Sequence, residues 1–202
     1  VALRVGVLAS GGGTNLQALL DTVHGHEAQV VAVASDNPLA QALERARGAG
    51  VPTAVFARAD HASRAARDAA IADWLAAHDV ELVVLAGYMA LLDAGFVARF
   101  RERIINVHPS LLPAFPGLAA VQQAIDYGVR LFGVTVHLVD EGVDTGPIIL
   151  QRAIELPSGA DAATALAALR PLEHALLPEA VALFAAGRVR RDPDHPRRVV
   201  VT

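Results

Sequence analysis

Cysteine is absent from the chain, so disulfides, thiolate metal sites and a cysteine nucleophile are all excluded. Lysine is absent too: all 17 basic residues are arginine, which reads as compositional bias rather than function. A Walker A phosphate loop, which needs a lysine, is thereby ruled out. Aromatic residues make up only 4%, and the 53% hydrophobic content is inflated by alanine. No apolar run reaches the ~18 uninterrupted residues of a membrane span. The first residues read as a strand and lack the charged and apolar regions of a signal peptide, so a soluble cytoplasmic protein is expected. Whether Val1 is the native start stays open. A net charge of -4 and a pI near 6.0 argue against a basic nucleic-acid face. Accordingly Arg188, Arg190, Arg191, Arg197 and Arg198 read as a solvated tail. At 202 residues the chain suits one domain with a sizeable core.

What is present is an alternation of apolar runs and helical spacings. Leu3 to Ala9, Gln29 to Ala34, Thr53 to Phe56, Glu81 to Ala86 and Arg103 to Val107 read as buried strands. Helical patterns lie between them, including one from Ser63 to His78 with Ser63 as N-cap. Strand and helix in alternation predict an α/β fold with a doubly wound, mostly parallel sheet. The pattern then changes. Ala120 to Tyr127 reads as a helix, and Phe132 to Val139 and Pro147 to Ile154 as a hairpin-like antiparallel addition. A long helical region, Ala162 to Ala186, is expected to be kinked or interrupted at Pro171 and Pro178. Arg188 to Arg190 and Arg198 to Val201 are expected as edge strands. No repeat or linker marks a boundary: residues 1–202 read as one domain, a phosphate-binding half (1–107) followed by a second half (108–202).

Ser10-Gly11-Gly12-Gly13-Thr14-Asn15 separates the first strand from a helix, which aims free backbone N–H groups and the positive helix end at an anion. A dinucleotide fingerprint would want a third small residue where Leu16 stands, although Asp36 sits where a ribose-binding acid would. A single phosphate at Gly13, Thr14 and Asn15 is the better reading. Arg64 in the first turn of its helix opposes the helix dipole, which suggests service to a ligand.

The densest chemistry lies at Asn106-Val107-His108-Pro109-Ser110-Leu111-Leu112-Pro113 and Asp144-Thr145-Gly146-Pro147. Alternate residues of a strand share a face, so Asn106 and His108 should converge on one reacting centre. A carboxamide and a protonated imidazole together make an oxyanion hole. Asp144 close to His108 would favour the imidazolium. Ser110 more naturally caps the loop than attacks a substrate, and His137 is placed to support Asp144 or a ligand. Direct attack of a substrate amine on an amide-like carbonyl, as in acyl or formyl transfer, fits this set. The eight histidines do not fall at metal-ligand spacings, so no metal is expected.

These motifs, with Leu85-Ala86-Gly87-Tyr88-Met89, Phe115-Pro116-Gly117 and Gly133-Val134-Thr135-Val136-His137, resemble the folate-dependent formyltransferases, specifically the phosphoribosylglycinamide formyltransferase family. The resemblance covers nearly the whole chain and implies a Rossmann-like formyltransferase fold. It implies 10-formyltetrahydrofolate as co-substrate, glycinamide ribonucleotide as acceptor, and a catalytic set of Asn106, His108 and Asp144. Gly13, Thr14 and Asn15 would hold the acceptor phosphate, with Glu173 on the ribose and Arg170 close by. Arg64, Met89, Ala90, Leu91, Leu92, Asn106 and the loop Asp140, Glu141, Gly142, Val143 and Asp144 would form the folate pocket. Where the family often has a basic residue, this chain has Ala90, so that contact to the donor tail is lost. Partners would be these small molecules, without nucleic acid or membrane, in a monomer or homodimer. A formyltetrahydrofolate hydrolase is the alternative, expected to carry an N-terminal regulatory domain. A methionyl-tRNA formyltransferase would be expected to add a basic C-terminal domain. A non-catalytic nucleotide-binding module would not need an Asn-x-His pair aimed at an Asp.

Overall fold

The computed structural model describes residues 2–202, and the chain forms two compact units, Val1–Asn106 and Val107–Thr202. The first unit is built on parallel strands β1 (Leu3–Leu8), β2 (Ala28–Ser35), β3 (Thr53–Val55), β4 (Leu82–Leu85) and the start of β5 (Ile104–His108). Val5, Val7, Leu8, Val33, Val83, Val84, Ile104 and Ile105 are wholly buried, as continuous apolar runs in a covered parallel sheet should be. Between the strands come helices α1 (Thr14–Thr22), α2 (Gln41–Gly48), α3 (Arg64–Ala77) and α4 (Ala94–Arg99). Ser63 caps α3, its Oγ accepting the Ala66 N–H at 3.1 Å. Ile71 and Leu75 bury the inner face of α3, each such side chain contributing roughly 1.5–3 kcal/mol.

The strand order is β3-β2-β1-β4-β5, so the chain winds outward from β1 and then returns to start again at β4. The loops leaving β1 and β4 therefore meet at the topological switch point, where open α/β sheets bind their ligands. The Ser10 N–H donates to the Gly87 carbonyl at 3.1 Å and joins those two loops directly.

The second unit holds α5 (Ala120–Tyr127), β6 (Leu131–Leu138), β7 (Ile148–Glu155), α6 (Ala162–Ala185), β8 (Val189–Arg191) and β9 (Val199–Val201). β6 and β7 pair antiparallel, as the sequence predicts, and give a mostly parallel α/β fold its antiparallel addition. One expectation, that the prolines could interrupt the last helix, is corrected. α6 is a single helix with Pro171 and Pro178 inside it, not an interrupted one. Each proline removes one backbone donor, but Leu169, Leu176, Leu177, Ala180 and Val181 bury one side along the whole length and carry the helix through. β8 and β9 are edge strands, as expected, and pair with each other as a separate two-stranded ribbon.

Candidate active site

β5 ends in the Asn-x-His motif. Asn106 is half-buried and His108 is buried, and their two-residue spacing on one strand puts both on the same face. The His108 ring is fixed at both nitrogens: Nε2 lies 2.8 Å from the Phe115 carbonyl and Nδ1 lies 3.4 Å from Asp144 Oδ2. Both neighbours are acceptors, so a ring carrying two protons satisfies both and a neutral ring only one. The segment after β5 is itself tied down. Ser110 Oγ donates to the Ala114 carbonyl at 2.6 Å, and the Thr135 hydroxyl donates to the Ser110 carbonyl at 2.7 Å. Ser110 is thus a loop cap, as its position suggests, and is not aligned as a nucleophile with His108.

Asp144 sits between two imidazoles. Oδ2 faces His108 and accepts the Gly117 N–H at 2.7 Å, while Oδ1 is 3.4 Å from His137 Nε2. The His137 ring is oriented by its other nitrogen, 2.8 Å from the Leu138 carbonyl. Burial alone would raise the Asp144 carboxyl. The hydrogen bonds from His137 and Gly117, with the charges of His108 and His137, outweigh it and hold the group at about 2. Asp144 is therefore a carboxylate throughout the neutral range.

Its backbone is unusual as well, with φ of 52°, in the left-handed region that a non-glycine residue seldom enters. The loop is held on both sides of that residue. Asp140 Oδ1 accepts from the Gly142 N–H at 3.1 Å and the Thr145 hydroxyl at 2.6 Å. A Cβ on Gly146 would fall 1.7 Å from the Leu138 carbonyl, so only glycine permits the close return of the chain.

In the glycine-rich turn after β1, Gly13 stands at the N-cap of α1 with φ of 69°. A Cβ there would strike Ala42 at 2.6 Å, so glycine is required by conformation and space together. No acidic side chain lies in the first turn of α1, which leaves Gly13, Thr14 and Asn15 opening the positive end of a helix. The loop is braced from behind by Arg45, whose Nε donates to the Gly12 carbonyl at 2.8 Å. Asp36 accepts the Ser10 hydroxyl at 2.5 Å and so braces the same turn.

Of the remaining predicted residues, Arg64 is exposed at the start of α3, and Met89 and Leu91 are 63% and 59% exposed on the loop after β4. Ala90, Leu92 and Asp140 are half-buried, and Glu141, Gly142 and Val143 are exposed. On α6, Arg170 lines an open depression of about 460 Å³ with Ala167, Pro171, His174 and Ala175; Glu173, half-buried, is not part of that lining. Burial, and then the charge of Arg170, lower the His174 pKa. The structure thus gathers His108, His137 and Asp144 into one cluster. Sequence reading missed the Gly117 N–H and the Phe115 carbonyl that complete it. Phe115-Pro116-Gly117 carried the only hint, a turn whose glycine adopts φ of 79°.

The chain is similar to known proteins over most of its length. A family model described as formyl transferase matches residues 3–181. The chain is 47% identical over 183 residues to phosphoribosylglycinamide formyltransferase of Mycobacterium tuberculosis, covering 90% of this chain and 85% of that protein. It is 45% identical over 192 residues to the trifunctional purine biosynthetic protein adenosine-3 of Drosophila pseudoobscura, covering 93% of this chain but only 14% of that much longer protein. Among solved structures, glycinamide ribonucleotide transformylase 1 of Symbiobacterium toebii superposes with a TM-score of 0.93 at 46% identity, over 99% of this chain and 94% of that one.

Proposed function

The chain belongs to the formyl transferase family, and from that premise we propose that it moves the formyl group of 10-formyltetrahydrofolate to the amine of glycinamide ribonucleotide, a step of purine synthesis. The observation that carries the reading is the ionised Asp144 set between His108 and His137. The acceptor amine attacks the formyl carbon, and its lone pair displaces the carbonyl electrons onto oxygen. Asn106 and His108 stabilise that oxyanion, the His108 Nε2–H exchanging the Phe115 carbonyl for the substrate oxygen while Nδ1 stays on Asp144. The attacking nitrogen gives up a proton, the folate nitrogen gains one, and the bond between carbon and folate nitrogen breaks as the carbonyl reforms. His108, backed by Asp144, is the group placed to relay those protons. The products are the formylated amide and tetrahydrofolate.

Gly13, Thr14 and Asn15 take the acceptor phosphate on the N-terminus of α1, with Glu173 and Arg170 toward the ribose. Arg64, Met89, Ala90, Leu91, Leu92, Asn106 and the 140–144 segment receive the donor. Positioning the two substrates supplies a large share of the acceleration, and general acid–base help adds about 10²–10⁴-fold. The test is tetrahydrofolate release from 10-formyltetrahydrofolate with and without glycinamide ribonucleotide. Acceptor-dependent release, lowered by about 10²–10⁴-fold in His108→Ala, is expected. Release at the same rate without acceptor would make water the acceptor and the enzyme a hydrolase.

A further inference from the structure

α3 carries two charged residues on a face that otherwise reads as core. Arg67 and Asp68 are 4% and 0% exposed, in a helix whose other buried residues are Ile71, Ala72 and Leu75. A buried ion pair is no more stabilising than well-packed apolar side chains of the same volume, so its presence asks for another explanation. Its hydrogen bonds supply one. Arg67 Nε donates to Asp68 Oδ1 at 2.8 Å, and Arg67 Nη2 donates to the Leu91 carbonyl at 3.2 Å. Asp68 Oδ2 accepts the Asp93 N–H at 2.7 Å. The pair thus grips the backbone on both sides of Leu92.

The other end of the same loop is gripped by Ser10, whose N–H donates to the Gly87 carbonyl at 3.1 Å and whose Oγ accepts the Met89 N–H at 2.8 Å. Backbone groups of residues 87, 89, 91 and 93 are therefore fixed in turn. Tyr88 turns inward and is buried, while Met89 and Leu91 are pushed into solvent. An exposed apolar surface on so constrained a loop is suited to docking a flat ligand without ordering the loop at the moment of binding.

We propose that Arg67 and Asp68 are positioning residues for the formyl donor: they hold the loop from Gly87 to Asp93 in the shape that receives the folate and take no part in proton transfer. The inference rests on the reading of that loop as the donor pocket. α3 then serves the donor twice, displaying Arg64 at its exposed start and anchoring the loop one turn later.

The test uses Arg67→Gln/Asp68→Asn, which removes both charges together and leaves none uncompensated in the core, with Arg67→Lys as the conservative variant. Donor KM should rise by about tenfold in the double variant, with kcat and acceptor KM within about twofold of wild type. Arg67→Lys should recover part of that loss. Amide hydrogen exchange should quicken at residues 89–93 and stay unchanged in β4. Unchanged exchange at 89–93 would overturn the proposal. So would faster exchange with an unaltered donor KM, or an equal loss in kcat and acceptor KM. Wild-type protein that transfers no formyl group would sink the functional reading instead, and the exchange data would still decide whether the pair holds the loop.

Discussion

Asp68 in the first unit and Asp144 in the second are both carboxylates taken largely out of water, and they differ in who neutralises them. Asp68 meets a guanidinium and one backbone N–H, and it is fully buried. Asp144 meets two imidazoles and one backbone N–H, and it keeps 13% of its side chain exposed. Arginine keeps its proton under all ordinary conditions, so the first arrangement can only hold a shape. Histidine gives and takes protons near neutrality, so the second can move them. On the proposed reading the same acid is a fastener in one place and part of a proton relay in the other, and the partner's chemistry makes the difference.

The largest effect expected from breaking that contrast is on catalysis. Asp144→Asn keeps the shape and an oxygen to accept the Gly117 N–H but removes the charge beside His108. Turnover should fall by about 10²–10⁴-fold, with little change in either substrate's KM, in steady-state kinetics. A variant retaining wild-type turnover would make Asp144 a loop brace and remove its assigned role.

Breaking the fastener should be felt in stability. Asp68→Ala leaves the Arg67 charge buried and uncompensated, at a cost of about 3–5 kcal/mol. In a chain of this size that corresponds to a fall in melting midpoint of about 10 °C. Arg67→Gln/Asp68→Asn should cost much less than the single change, because no lone charge remains. A double variant as unstable as Asp68→Ala would show that packing, not charge, makes the site sensitive.

The two carboxylates were not equally legible in the sequence. Asp144 sits in a Gly-Pro turn beyond a strand, next in kind to an Asn-x-His motif, and its chemistry has few competing explanations. The strands were legible because a parallel sheet covered on both faces leaves uninterrupted apolar runs, and the face shared by Asn106 and His108 follows from the two-residue period of a strand. Arg67 and Asp68 lie four and three residues before Ile71, on the apolar face of α3. A charge there is a signal, but solvated arginines and aspartates are so common on helices that one chain alone does not single it out. α6 misled for a related reason: proline is a local breaker, whereas the face that carries the helix through Pro171 and Pro178 is assembled by tertiary packing. The φ of 52° at Asp144 left only a faint trace, since aspartate tolerates the left-handed region better than most residues but does not require it.

Acid separates the functional carboxylate from its surroundings at smaller cost. The Asp144 pKa is lowered from 3.8 to about 2, so folding favours the charged form. Its contribution is fully present above pH 3.8, the unfolded value, and is lost as pH falls toward about 2. The amount is on the order of 2 kcal/mol. Denaturant unfolding measured at steps between pH 5 and pH 2 should show this slope in wild type and a shallower one in Asp144→Asn. Parallel slopes would mean that other carboxyls govern acid unfolding.

The smallest effect sharpens the contrast within the second unit, between the two histidines on Asp144. His137 is 2% exposed, and its ring is held at both nitrogens, by the Leu138 carbonyl and by Asp144 Oδ1. It touches the carboxylate on the side away from the His108 contact at Oδ2, so its effect on the reaction passes through Asp144. His137→Gln keeps a donor toward Oδ1 but cannot carry charge. Weakening that hydrogen bond, now donated by a neutral amide on a flexible side chain, should lower kcat by about tenfold and leave both KM values near wild type. The pH dependence of kcat should keep its form, because His137 acts through Asp144 and exchanges no proton with the substrate. A loss equal to that of His108→Ala, or a pH profile of a different shape, would move His137 from supporting Asp144 to handling a proton itself.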